Sequence, residues 1–186
     1  MEKTTKYMIF KHKELIEACV LNDRTAQMKI YNLYYKAMYN TSYHIVNDSF
    51  IAEDIMQDAF LDAFSKIGKF EWRSSFGSWL KRIVVNKSID SVKKTNNHIE
   101  LNEELVDFAD DSDKDNFDNI QCKLDEIKIS LKSLSENYRT ILVLHLFEGY
   151  DHQEISQILK LPYNNVRVRY MRAKRKLIEG MIKMAN

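Results

Sequence analysis

Eight of the lysines and arginines fall in residues 160–186, against a single acid, Glu179. Projected as a helix at about 100° per residue, this stretch puts Val166, Tyr170, Ala173 and Leu177 on one side. The opposite side centres near Val168, with Asn164, Met171, Arg172 and Arg175 around it and Asn165, Arg167 and Arg169 beside it. These groups suit reading DNA in the major groove: arginine pairs with guanine, asparagine with adenine, and an apolar group meets the thymine methyl. Lys174 and Lys176, with Arg175, lie further along, where side chains hold phosphates. A plain solvated tail helix would explain the charge equally well, but not a β-branched Val168 in the middle of a basic face. Just upstream, Asp151 and Glu154 have capping-box spacing. Lys160-Leu161-Pro162 then makes a tight connection, and Pro162 pre-sets the backbone for a new helix. The length and order are those of a helix-turn-helix.

A second constellation lies near the front. On a helix over residues 50–67, the outward face collects Asp54, Gln57, Asp58 and Leu61, opposite an apolar stripe at Ile51, Ile55, Ala59 and Ala63. A leucine among carboxylates suits docking better than catalysis. Geometry alone favours an ordinary solvated face with one stray leucine. The next segment mixes aromatics with bases: Lys69, Phe70, Glu71, Trp72 and Arg73 in a loop, then Phe76 and Trp79 at the start of a helix. Aromatics beside positive charge can stack unpaired bases. Phe76 and Trp79 read instead as core, while Phe70 and Trp72 are open to either role. Asp54 and Asp58 are not accompanied by a histidine motif, and the five histidines do not cluster along the chain. No metal site, cofactor site or catalytic set is expected.

The elements that must position these residues are helices. Four glycines and one proline in 186 residues leave few Gly- and Pro-dependent turns. Two well-separated cysteines, Cys19 and Cys122, exclude a disulfide scaffold. Neither a signal peptide nor a stretch of about 20 apolar residues is found, so the protein is expected to be cytoplasmic, with no membrane insertion. Residues 1–98 carry 15 Lys/Arg and 11 Asp/Glu, whereas residues 99–120 carry nine acids and one lysine. The expected architecture is all-α: a helical domain over 14–95, an acidic linker over 96–121, and a second helical domain over 122–181. Capping residues place helix starts after Asn22 or Asp23, after Asn47-Asp48-Ser49 and at Ser75, with Gly68 as a stop. The second helix should bury Ala26, Ile30, Leu33, Ala37 and Met38.

The runs AEDIMQDAFLDAF (52–64) and SSFGSWLKRIVVNKSID (74–90) resemble region 2 of sigma-70-type factors. The run LKSLSENYRTILVLHLFEGYDHQEISQILKLPYNNVRVRYMRAKRKL (131–177) resembles region 4. Together, without a separate region 3, they resemble the extracytoplasmic-function (ECF) group. The resemblance implies a non-enzymatic initiation subunit with core RNA polymerase and promoter DNA as partners. It assigns Asp54, Gln57, Asp58 and Leu61 to docking on the β′ clamp helices, reversing the geometric preference for a solvated face. Phe70, Trp72, Arg73, Lys81, Arg82, Asn86 and Lys87 fall to the −10 element. Asn164, Asn165, Arg167, Val168, Arg169, Met171, Arg172 and Arg175 fall to the −35 element, with region 4 also meeting the β flap. The linker matches a segment passing near the polymerase active-site channel, and an anti-sigma factor is an expected partner. Two departures stand out: Lys160 where the family usually has glycine, and Asn164-Asn165 with Arg167-Val168 on the reading face, which prevent carrying over a −35 sequence. The alternatives are a stand-alone helix-turn-helix regulator, or an adaptor that docks without reading DNA.

Overall fold

In a computed structural model of the chain, the described residues are 11–96, 127 and 129–185. No strand occurs among them, and the chain divides into two compact units, Met1–Val92 and Lys93–Asn186. Residues 97–121 of the acidic linker, together with Cys122, lie outside the described residues.

The first unit holds α1 (Lys13–Val20), α2 (Arg24–Val46), α3 (Ser49–Lys66) and α4 (Phe76–Asn96). Asp23 starts α2 by accepting the backbone N–H groups of Thr25 and Ala26. Only two residues separate α2 from α3, and each has a separate task. Asn47 ends α2 in the left-handed conformation (φ 57°), which asparagine tolerates. Asp48 then accepts from Phe50 and Ile51 N–H, both at 2.9 Å. Small residues at Ala52, Ala59 and Ala63 are wholly buried and let α3 approach its neighbours. Ile30, Met38, Ile55, Met56 and Phe60 pack with Phe76, Leu80 and Val84 of α4 to form the core. Truncating wholly buried Leu80 to alanine should cost about 2–5 kcal/mol.

Three expectations fail here. Gly68 does not stop α3 with a left-handed turn; the chain tightens instead into a 3₁₀ turn over Ile67–Lys69, anchored by buried Ile67. Leu33 and Ala37 are exposed, because Ala26, Ile30, Met38, Thr41 and Ile45 define the buried stripe of α2. Ile51 is also exposed, and Ala52 takes its place inside.

The second unit contains helical residues 129–133, α5 (Glu136–Leu142), a π-helical turn (Val143–Phe147), α6 (His152–Leu159) and α7 (Tyr163–Ala185). Its core joins Leu131, Leu134, Tyr138 and Leu142 to Ala173 and Leu177 of α7. Arg139 is buried and donates to the Leu134 carbonyl at 3.2 Å, closing the turn before α5. Burial lowers its pKa, with Glu136 opposing.

Candidate nucleic-acid interface and docking face

The connection that sets the reading helix is built from side-chain bonds. The Asp151 carboxylate accepts from Glu154 N–H, and the Glu154 carboxylate accepts from Asp151 N–H, each at 2.8 Å. This is the capping box expected from the spacing. After α6, Lys160 is left-handed (φ 58°, ψ 42°), the conformation its place in the turn demanded. The Leu161 N–H donates to the Ser156 carbonyl at 3.1 Å, and the Ser156 hydroxyl donates back to the Leu161 carbonyl at 2.6 Å. The turn is thus tied twice to one residue of α6. Pro162 then accepts from the N–H groups of Asn165 and Val166, and α7 begins at Tyr163.

Val166, Ala173 and Leu177 of α7 are buried, and half-buried Tyr170 packs beside them, as projected. Asn164, Arg167, Met171 and Arg175 are exposed, while Asn165, Arg169 and Arg172 are half-buried along the flanks. Val168 is half-buried, not the open centre of the face. Lys176 is exposed, but its Nζ lies 4.6 Å from the centre of the Tyr138 ring, a cation–π contact that fastens the helix and that a phosphate would have to displace. Arg175 pairs loosely with Glu179 at 3.8 Å, both side chains exposed. Such a pair is worth at most about 1 kcal/mol and yields readily to a phosphate. Tyr163, 47% exposed at the first position of α7, lies on the side of Val166 and Tyr170, not on the reading face.

In the first unit, Asp54, Gln57, Asp58 and Leu61 are all exposed on α3. Phe50, 81% exposed, lies four residues before Asp54 on the same stripe, and Leu61, 68% exposed, closes its other end. The face is therefore polar in the middle and apolar at both ends. The missed signal was the spacing 50, 54, 57, 61, which is helical throughout.

The aromatic loop is arranged differently from expectation. Phe70 is only 8% exposed and is covered by Trp72, Phe76 and Trp79, with ring centres 4.9–5.8 Å away. It supports the loop and does not offer a face to a base. Trp72 is half-buried and left-handed (φ 57°), a strained conformation for so bulky a residue. The first turn of α4 is held by Gly77, where a Cβ would sit 2.9 Å from the Tyr34 ring. Trp79 is half-buried: its ring packs on Phe70 and Phe76 at the edge of the core, and it shares a stripe of α4 with exposed Arg82 and Asn86. Arg73 is exposed and pairs with Glu71 at 2.7 Å. Lys81 is half-buried. Lys87 turns to α3, with its Nζ 3.1 Å from Asp62 and 4.0 Å from Asp58. That ammonium holds the Asp62 carboxyl below the usual range. Lys87 therefore ties the −10 candidates to the docking face and does not stand among the outward bases. Among the described residues, no group of three or more potential metal ligands gathers, and no helix is long and apolar enough to cross a membrane.

Comparison with known proteins gives two family matches in order along the chain: sigma-70 region 2 over residues 30–98 and sigma-70 region 4 over residues 125–177. The chain is 27% identical over 175 residues to the ECF RNA polymerase sigma factor SigW of Bacillus subtilis, covering 89% of this chain and 94% of SigW. It is 30% identical over 136 residues to the RNA polymerase sigma factor SigZ of the same organism, covering 72% and 74% respectively. Its fold is similar to that of the sigma factor RpoE of Bartonella quintana, solved with the anti-sigma factor NepR. That match has a TM-score of 0.56 at 20% identity and covers 86% of this chain and 98% of RpoE. CnrH, solved with the cytosolic domain of CnrY, matches with a TM-score of 0.52 at 19% identity, covering 89% and 94%.

Proposed function

The chain belongs to the sigma-70 family, in its ECF group, and from that premise we propose a residue-level division of labour. A sigma factor binds core RNA polymerase and directs promoter-specific initiation, and this chain does the same. It is an initiation factor that acts by binding. The stripe Phe50, Asp54, Gln57, Asp58 and Leu61 docks on the β′ clamp helices. Its apolar ends supply contact area, and its polar centre supplies register. Trp72, Trp79, Arg73, Lys81, Arg82 and Asn86 meet the −10 element. Opening that element costs a few kcal/mol per unstacked step. Stacking returns about 1–3 kcal/mol per captured base, so melting is driven by binding.

Asn164, Arg167 and Met171 reach base edges of the −35 element, while Asn165, Val168, Arg169, Arg172 and Arg175 line its flanks. The α7 helix is about 34 Å long at 1.5 Å per residue. The major groove is about 12 Å wide, so only the first turns read sequence. Region 4 also meets the β flap, and an anti-sigma factor, the partner named for the solved relative RpoE, is a further partner. The nine acids of residues 99–120 suit a basic channel of the polymerase. Replacing them with serine should alter abortive products, and an unchanged product pattern would reject that role.

The observation that carries the reading is the pairing, on one chain, of a docking stripe on α3 with a basic reading face on α7. A stand-alone helix-turn-helix regulator is not favoured, since it has no use for region 2. The test adds the purified chain to sigma-free polymerase on pooled genomic promoters, with start sites read by sequencing. New starts that share paired upstream elements are expected. Binding to promoter DNA without any new start would instead support the regulator.

A further inference from the structure

Three aromatic rings meet beneath the reading helix, one from each element that holds it. His145 comes from the π turn, His152 is the first residue of α6, and Tyr170 lies on α7. All three ring-to-ring distances are 4.8 Å, and the two imidazoles stack at 25°. His145 Nδ1 lies 2.8 Å from the Tyr150 carbonyl. A carbonyl only accepts, so Nδ1 carries the hydrogen and the ring is fixed in one tautomer. His152 Nε2 is buried with no hydrogen-bond partner among the described residues.

We propose that the His145–His152–Tyr170 cluster is a proton-sensitive brace of the recognition helix, so that duplex promoter binding by α7 weakens on acidification. The inference rests on the reading of α7 as the −35 helix. A proton on His152 would create a buried N–H with no acceptor, against a parallel imidazole. The groups facing His152 are His145 from the π turn, Arg167 and Tyr170 from α7, and Asp151 at its own cap. Burial, then His145, then Arg167 hold its pKa below the ordinary histidine value, and Asp151 opposes them. The opened form therefore binds the proton more tightly than the packed one. Packing is fully favoured above about pH 6.5, the ordinary histidine value, and weakens as pH falls from there through the lower packed value. Because the rings sit on three elements, relief by ring separation shifts α7 relative to α6. Bulk electrostatics predict the opposite sign, since added positive charge beside DNA tightens binding.

The test loads the chain on core polymerase and measures affinity for a labelled promoter duplex from the mapped starts, at about pH 7.5 and about pH 5.5 and fixed ionic strength. Wild type should weaken at least about tenfold more than His152→Phe, which keeps a ring in the stack but cannot titrate. NMR of the DNA-free chain should show His152 titrating below its ordinary value, independently of whether the variant folds. His145→Phe serves as the second variant and should keep much of the acid weakening, because burial still acts on His152. Tighter binding in acid, a His152→Phe profile equal to wild type, or His152 titrating at its ordinary value would each overturn the brace. Loss of promoter binding at the higher pH on Arg167→Ala confirms the −35 reading separately; its absence would overturn that reading and this inference with it.

Discussion

The two ends of the α3 stripe allow a quantitative test of docking. Leu61 is 68% exposed and Phe50 81% exposed in the free chain, so truncating either removes little from the fold. Surface changes of this kind alter stability by no more than about 0.5 kcal/mol. If the polymerase buries these side chains, the loss appears in binding. Full burial of a large apolar side chain is worth about 1.5–3 kcal/mol. Scaled by the surface still open to cover, Leu61→Ala should weaken core binding by about 1–2 kcal/mol, and Phe50→Ala by a similar or slightly larger amount. Each corresponds to roughly five- to thirtyfold in Kd. The residues are eleven positions apart, about 16 Å along the helix, so the double variant should show the sum of the two losses. The assay titrates labelled chain with core polymerase, alongside thermal melting of the same samples. Core affinity within twofold of wild type for both variants, with the fold intact, would refute docking through this face. A double variant no weaker than the more affected single variant, with the other single variant at wild-type affinity, would restrict the contact to one end.

Three further outcomes are expected. Asp62→Asn should leave stability within about 1 kcal/mol, since the Asp62 carboxylate and Lys66 remain partly open to solvent, although Lys87 is only 29% exposed. It should also raise affinity for −10 single strand by releasing Lys87. Because Lys87 lowers the Asp62 pKa, the stabilisation from this pair is present above the ordinary carboxylate value and is lost as pH falls through the lower folded value. The variant should therefore show a shallower acid loss in thermal melting. Lys160→Gly should stabilise the chain by about 0.5–1 kcal/mol, because a left-handed residue no longer carries a Cβ. An unchanged melting temperature would show that the turn is not strained. Asp151→Ala should destabilise the chain by about 1 kcal/mol through loss of the carboxylate that accepts from Glu154 N–H, while the backbone N–H of residue 151 keeps its bond to the Glu154 carboxylate. In transcription assays it should weaken −35-dependent promoters more than promoters that depend chiefly on the −10 element.

Local chemistry was the most readable part of the sequence. Asp23, Asp48, Ser75 and the Asp151–Glu154 pair announce helix starts because a cap acts within three residues of itself. The outward face of α7 followed from a single helical period. What depends on a second element was not readable. Phe70 and Trp72 are near neighbours of similar chemistry, yet only the fold decides that Phe76 and Trp79 cover the first. Lys87 was assigned to the −10 element because Asp62, its partner across the helix pair, lies 25 positions away and out of local view. Val168 lost its central place because the packing around α7 shields part of one flank. The π turn was hidden for a different reason. A fixed period of 3.6 cannot register one extra residue, and His145, whose ring meets His152 and Tyr170, lies within that turn.

The two-residue link Asn47-Asp48 has a consequence beyond joining helices. It leaves no slack between α2 and α3, so it acts as a phase setter. Every residue of α3 points where it does because the count from Asn47 is fixed. One residue added at the start of α3 would rotate all later side chains by about 100°, carrying Met56 and Phe60 to exposed positions and the docking carboxylates Asp54 and Asp58 to buried ones. The interface on this helix is therefore protected from drift by length as much as by composition. Substitutions along the stripe can retune partner preference one residue at a time, but an insertion or deletion removes the interface and the core together.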